Sequence, residues 1–170
     1  MAKQISNLTY KIVAFTEIQQ IDINDSIDWA LEMINLGFES PTLFMLASIK
    51  KPANYFEAIE YVKDAIQELG FEMKNGDNAT LSYASYYIHL IANGHFVRDN
   101  LTKLYQFCQI RDYESLVFEF YLLYWAWDDL DYEENAYSPY WEEATPSNIQ
   151  QIIVDVAQKW ITANKKFYTL

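Results

Sequence analysis

Apolar residues recur along most of this chain at intervals of three and four, a spacing that predicts helices rather than strands. The clearest stretch runs from Pro146 to about Lys165. There Ile149, Ile152, Ile153, Val156, Trp160 and Ile161 form one stripe, while Gln151, Asp155, Gln158 and Lys159 face away. Asp155 and Lys159 stand four apart in the favourable acid-before-base order. Tyr55 to Leu69 is as regular, with Phe56, Ile59, Val62, Ile66 and Leu69 inward, Glu57, Glu60, Asp64 and Glu68 outward, and Asn54 as the cap. Shorter patterns predict helices over Ser26 to Leu36 (Ile27, Ala30, Leu31, Ile34), Thr42 to Ile49, Thr80 to Asn93 (Leu81, Ala84, Ile88, Ile91) and Asp99 to Ile110 (Leu101, Leu104, Tyr105, Cys108). Asn7 to Gln19 carries Leu8, Ile12, Phe15 and Ile18 at helical spacing, against the weaker helix propensity of Thr9, Val13 and Thr16.

Tyr113 to about Trp127 differs, because Leu116, Val117, Phe118, Phe120, Tyr121, Leu122, Leu123, Tyr124 and Trp125 leave almost no polar face. A helix apolar all round belongs in a core, so the pattern places this one at the centre of the fold. A buried strand is the competing reading, but the run is long for a strand and no second run exists to pair with it. Punctuation is sparse. Gly37, Gly70 and Gly94 each follow an apolar-periodic stretch, as C-terminal caps do. Ser40-Pro41, Ser138-Pro139 and Thr145-Pro146 read as a capping side chain followed by a first-turn proline, and Asn75-Gly76 as a loop between helices.

These elements predict one compact all-α domain over residues 1–170, an irregular bundle of seven or eight helices in antiparallel pairs. A short helical-repeat solenoid is the alternative, since Gly37 and Gly70 stand 33 residues apart; Gly94 follows after 24 and breaks that period. A chain of 170 residues buries a sufficient core without disulfides or metals. The single Cys108 falls on an apolar stripe, which favours a core thiol over a nucleophile. Residues 1–20 lack the apolar run of a secretory leader, and no stretch approaches the ~20 apolar residues of a spanning helix, so a cytoplasmic location is expected.

Charge changes the picture. Of the 24 acids, 11 lie between Asp112 and Gln158, a stretch with no Lys or Arg, and acids and aromatics crowd together over residues 125–143. A net charge of −12 argues against nucleic-acid binding and against anionic membranes, and leaves basic proteins as the natural partners. Asp128, Asp129, Asp131, Glu133 and Glu134 would supply the field, with Trp127, Tyr132, Tyr137, Tyr140 and Trp141 as aromatic anchors. Acids at a helix C-terminus oppose the macrodipole, so something other than helix stability retains the three aspartates. The other reading starts a new short helix at Asp129 or Asp131 and packs Tyr132, Tyr137 and Trp141 inward.

Chemistry beyond binding finds little support. Asp129, Asp131 and Glu133 imitate the opening of a calcium loop, but Glu134 stands where the turn needs Gly and Tyr140 where the closing Glu should be. His89 and His95 do not share a helix face, His89 reading as a half-buried helix residue and His95 as a neighbour of the preceding helix end. No phosphate-binding glycine loop, nucleophile elbow or zinc spacing occurs, so no catalytic residue, cofactor or metal is expected. Small, acidic and rich in tyrosine, the chain resembles in composition the bacterial immunity proteins, which neutralise cationic nuclease toxins. That resemblance implies a non-enzymatic inhibitor, although no motif carries it. The alternatives are a helical scaffold whose apolar excess closes a homodimer, and an enzyme using paired carboxylates.

Overall fold

A computed structural model of the chain describes residues 3–18 and 21–170. Among these residues the protein is all-helical, as the periodicity predicts: α1 Thr9–Ile12, α2 Asn24–Asn35, α3 Pro41–Ala47, α4 Tyr55–Glu68, α5 Gly76–Ala92, α6 Val97–Ile110, α7 Phe118–Leu130 and α8 Ile149–Tyr168, with a 3-10 turn at Ser115–Val117. The described residues hold no strand, only an isolated bridge between Ser138 and Trp141.

Local chemistry sets most helix ends. Gly70 adopts φ +79°, its N–H donates to Gln67 O at 3.0 Å and Phe71 N–H to Ile66 O at 3.0 Å, the paired bonds of a left-handed C-cap. The same two bonds close α2 at Gly37 and α5 at Gly94. Extended Ser40 accepts from Leu43 N–H at 3.0 Å with Pro41 in the first turn, and Asn54 Oδ1 accepts from Phe56 N–H at 2.9 Å.

Several expectations need correction. The expected N-terminal helix shortens to Thr9–Ile12 followed by turns, in keeping with its β-branched residues, and Gln19 lies outside the described residues. Asn75-Gly76 is no loop between helices, because α5 begins at Gly76. Ser138-Pro139 starts no helix: the Ser138 hydroxyl accepts from Tyr140 N–H, two residues on, which makes a tight turn. At Thr145-Pro146 the chain first turns, and α8 proper begins at Ile149.

Contacts sort the chain into two compact units, Met1–Tyr83 with Phe167–Leu170, and Ala84–Lys166. In the first, Trp29 is fully buried and its indole N–H donates to Thr9 Oγ1 at 3.0 Å, tying α1 to α2. Glu68, at the end of α4, accepts from Thr42 Oγ1 at 2.5 Å, at the start of α3, so these two helices run antiparallel. Phe56, expected inward, is 82% exposed, because it stands about 120° round α4 from the centre of the buried face that Ala58, Ile59, Val62, Ala65 and Ile66 form. Leu31 is also exposed rather than inward. The buried face of α2 is Ser26, Ile27, Trp29, Ala30 and Met33, and Leu31 stands about 100° round the helix from Ala30.

In the second unit α6 and α7 pack antiparallel, and Trp160 on α8 donates from its indole to Leu116 O at 2.9 Å. The expectation of a fully buried α7 does not hold. Only Phe120, Leu123, Ala126 and Leu130 are buried, while Tyr121, Leu122, Tyr124, Trp125 and Trp127 are half-buried and Phe118 is exposed. Its apolar outer face is covered by rings lying on one another rather than by another layer of the fold.

Candidate functional site

The surface singled out by its chemistry lies in the second unit, where α6, α7 and the segment after α7 bring aromatic rings and carboxylates together. Phe118, Tyr121 and Trp125, with Tyr124 beside them, recur every three or four residues and so project from one side of α7. Tyr105 of α6 meets them across the helix pair. Its ring lies on Tyr124 at 3.8 Å between centroids and 13° between planes, and on Tyr121 at 5.4 Å and 18°. Phe118 continues the parallel stack from Tyr121 at 5.3 Å and 14°. Tyr113 sets its edge against Tyr121 at 5.5 Å, from a left-handed backbone position at φ +61°. At the other end Trp125 meets Tyr124 edge-on and stacks against Tyr140 at 6.2 Å. The result is a continuous ladder of half-buried and exposed rings. Burial, then the neighbouring Tyr124 and Tyr121, raises the Tyr105 phenol above its ordinary pKa, so the hydroxyl stays neutral at physiological pH.

Beyond the ladder the last turn of α7 carries Asp128 and Asp129, with Asp131 as its C-cap, and no basic residue occupies that turn. Compensation comes from α6. Arg98 reaches across to Asp131 at 2.5 Å and lies over the Trp127 ring at 4.8 Å from its centroid. The bond to Asp131 raises the guanidinium pKa further, with Asp128 and Tyr124 also within electrostatic reach. Asp129 bonds instead to the segment that follows, its carboxylate accepting from the Ser138 hydroxyl at 2.9 Å and its carbonyl from Asn135 Nδ2 at 2.9 Å. Ser138 is buried, so this pair of bonds pins the segment to the end of α7. No helix starts at Asp129 or Asp131.

The sequence-predicted residues therefore separate into groups. Trp127, Asp129 and Asp131 hold structure, the two aspartates through bonds to Ser138 and Arg98 and Trp127 under the Arg98 guanidinium, and Asp128 stands half-buried beside them. Tyr132 and Tyr137 are 64% and 75% exposed, Tyr140 joins the ladder, and Trp141 is half-buried. Glu133, Glu134, Glu142 and Glu143 are exposed, and no ion pair among the described residues engages them. Sequence reasoning assigned Tyr121, Tyr124 and Trp125 to the core and missed the ladder with Tyr105 and Tyr113. The i, i+3, i+4 run of aromatics on α7 was the available signal.

Charge is also distributed differently in space than along the chain. Each unit holds six basic and twelve acidic residues, because Arg98, Lys103, Arg111, Lys159, Lys165 and Lys166 join the acid-rich stretch in the second unit. Cys108 is fully buried and its thiol is pushed up to about 11 by burial and by Glu114. His89 is half-buried, and its pKa is lowered by burial and by Lys165. Exposed His95 closes α5 through its backbone N–H, which donates to Leu90 O at 2.9 Å. Among the described residues no group of three or more His, Cys, Asp or Glu is placed to hold a metal ion, and no helix is long and apolar enough to cross a membrane. No family model, curated protein or solved structure matches this chain.

Proposed function

We propose that this is a non-enzymatic protein-binding module that captures a basic partner on the second unit, through the ring ladder of α6 and α7 and the carboxylates that follow it. The observation that carries the reading is the exposure of stacked aromatic area beside carboxylates that no basic side chain neutralises, Glu133, Glu134, Glu142 and Glu143. Such charge steers encounter and rigid rings supply contact area at small entropic cost. Inhibition of a cationic nuclease, the role that the composition resembles, is one form of this capture and is read directly as loss of nuclease activity.

Cationic nucleases and a basic protein without nuclease activity serve as probes, with association rates followed over a range of ionic strength. Changing Glu133, Glu134, Glu142 and Glu143 to Gln should leave folding intact, slow association and flatten its salt dependence, since screening acts over ~8 Å at physiological ionic strength. A variant that associates as fast as the parent, with the same salt slope, refutes the reading.

The first unit favours a second reading, a homo-oligomeric scaffold, because Leu31, Phe44, Met45 and Phe56 are 47–82% exposed on α2, α3 and α4. Sedimentation of the purified chain separates the two: a stable dimer dissociated by Phe44→Ser and Phe56→Ser supports the scaffold.

A further inference from the structure

We propose that the ladder of Tyr113, Phe118, Tyr121, Tyr105 and Tyr124 recognises arginine rather than lysine in a cationic partner segment. The inference rests on the binding role proposed above and names the side chain that the surface selects. Phe118, Tyr121, Tyr105 and Tyr124 form a run of rings whose successive planes differ by 14°, 18° and 13°. A planar guanidinium extends such a stack face to face and still directs its N–H groups sideways to acceptors. An ammonium group is tetrahedral and strongly hydrated, and gains less from the same rings.

The chain already displays this chemistry beside the ladder. Arg98 lies over the Trp127 face at 4.8 Å while Asp131 receives its N–H at 2.5 Å, with Asp128 and Tyr124 nearby. Trp127 stands one helical turn beyond Tyr124 on α7, so this pairing lies next to the stack. Charge complementarity selects the occupant. The ladder continues through Trp125 to Tyr140, in the segment that carries Glu133, Glu134, Glu142 and Glu143, exposed and in no ion pair among the described residues. The rings give the preference for guanidinium, and the carboxylates give the preference for positive charge.

Hexa-arginine and hexa-lysine, equal in charge and length, are titrated against the intact chain at low and physiological salt, with binding read by calorimetry and by tryptophan emission. The arginine peptide should bind about fivefold tighter or more, as a stacked cation over rings implies. The variant Tyr113→Asn with Phe118→Gln removes two exposed rings without changing charge, and Asn tolerates the left-handed backbone at 113. It should reduce the preference to below about twofold, because the arginine affinity falls more than the lysine affinity. Equal affinities in the parent overturn the arginine assignment and leave capture of a basic partner standing. A preference that persists undiminished in the folded variant also overturns it, because Tyr113 and Phe118, the exposed rings of the ladder, then take no part in the discrimination. Failure of both peptides to bind at low salt overturns both the assignment and the reading beneath it. The parent comparison decides the matter even where the variant does not fold.

Discussion

Arg98 pairs with the C-cap residue of α7 and lies over Trp127 in its last turn, and its removal tests whether that contact stabilises the unit. Three contributions converge on the guanidinium. Its position over the Trp127 ring is worth about 0.5–1 kcal/mol at an exposed site. The pair with Asp131, whose side chains are 40% and 48% exposed, adds about 0.2–1 kcal/mol after solvent screening. A cation near the carbonyl end of α7, where Asp128 and Asp129 oppose the macrodipole, adds about 0.3–1 kcal/mol. The three overlap because one group makes them all, so Arg98→Ala should lower stability by about 1–2 kcal/mol. Arg98→Lys keeps the charge without the planar fork and should recover about half of that loss. Urea unfolding followed by circular dichroism and tryptophan emission measures both. A double-mutant cycle with Asp131→Asn should give a coupling of about 0.5 kcal/mol that shrinks in 1 M salt, where the screening length is ~3 Å, while the ring contribution remains. An Arg98→Ala variant within about 0.3 kcal/mol of the parent, or strict additivity with Asp131→Asn, would refute this account of how the helix end is compensated.

In the first unit, Thr9→Val keeps the shape of the side chain but leaves the buried Trp29 indole N–H without its acceptor, and should cost about 1–3 kcal/mol where Thr9→Ser costs little. Glu68 has its pKa lowered by the bonds from Thr42 and Ser40, so its stabilisation is present above the unfolded carboxylate pKa and fades as pH falls through the folded value. Glu68→Gln should therefore destabilise at pH 7 by an amount that shrinks as the pH falls below the ordinary carboxylate range, as thermal melts over an acid pH series would show. Cys108, buried and with its thiol pushed up to about 11, should react slowly with a thiol reagent in the native protein and fully after denaturation. Rapid native labelling would show the site opening readily.

What was legible in the sequence is what neighbouring residues decide among themselves. Helical periodicity, the glycine stops at Gly37, Gly70 and Gly94, and the caps at Ser40 and Asn54 depend on bonds spanning a few residues, and each appears where the sequence puts it. The burial of Cys108 followed from the stripe it shares with Leu101 and Leu104. The acid-rich segment was equally plain, since charge is a property of composition.

Tertiary structure alone decided which apolar faces were covered and which charges were answered. The pattern of α7 read as core because hydrophobicity does not distinguish a ring covered by another element from a ring covered by its neighbour, and here Tyr105 from another helix does part of the covering. Phe56 was lost to solvent because packing covered the face of Ala58, Ile59, Val62, Ala65 and Ile66, and where the edge of that face falls is set by the neighbouring elements rather than by the pattern of α4 itself. Arg98 and Asp131 stand far apart along the chain and meet only because α6 and α7 run antiparallel. That meeting changes Asp131 from a displayed charge into a partnered one and leaves Glu133, Glu134, Glu142 and Glu143 as the exposed field. Local bonds determine the helices, and long-range packing, which weighs one element's length and direction against another's, determines the surface they present.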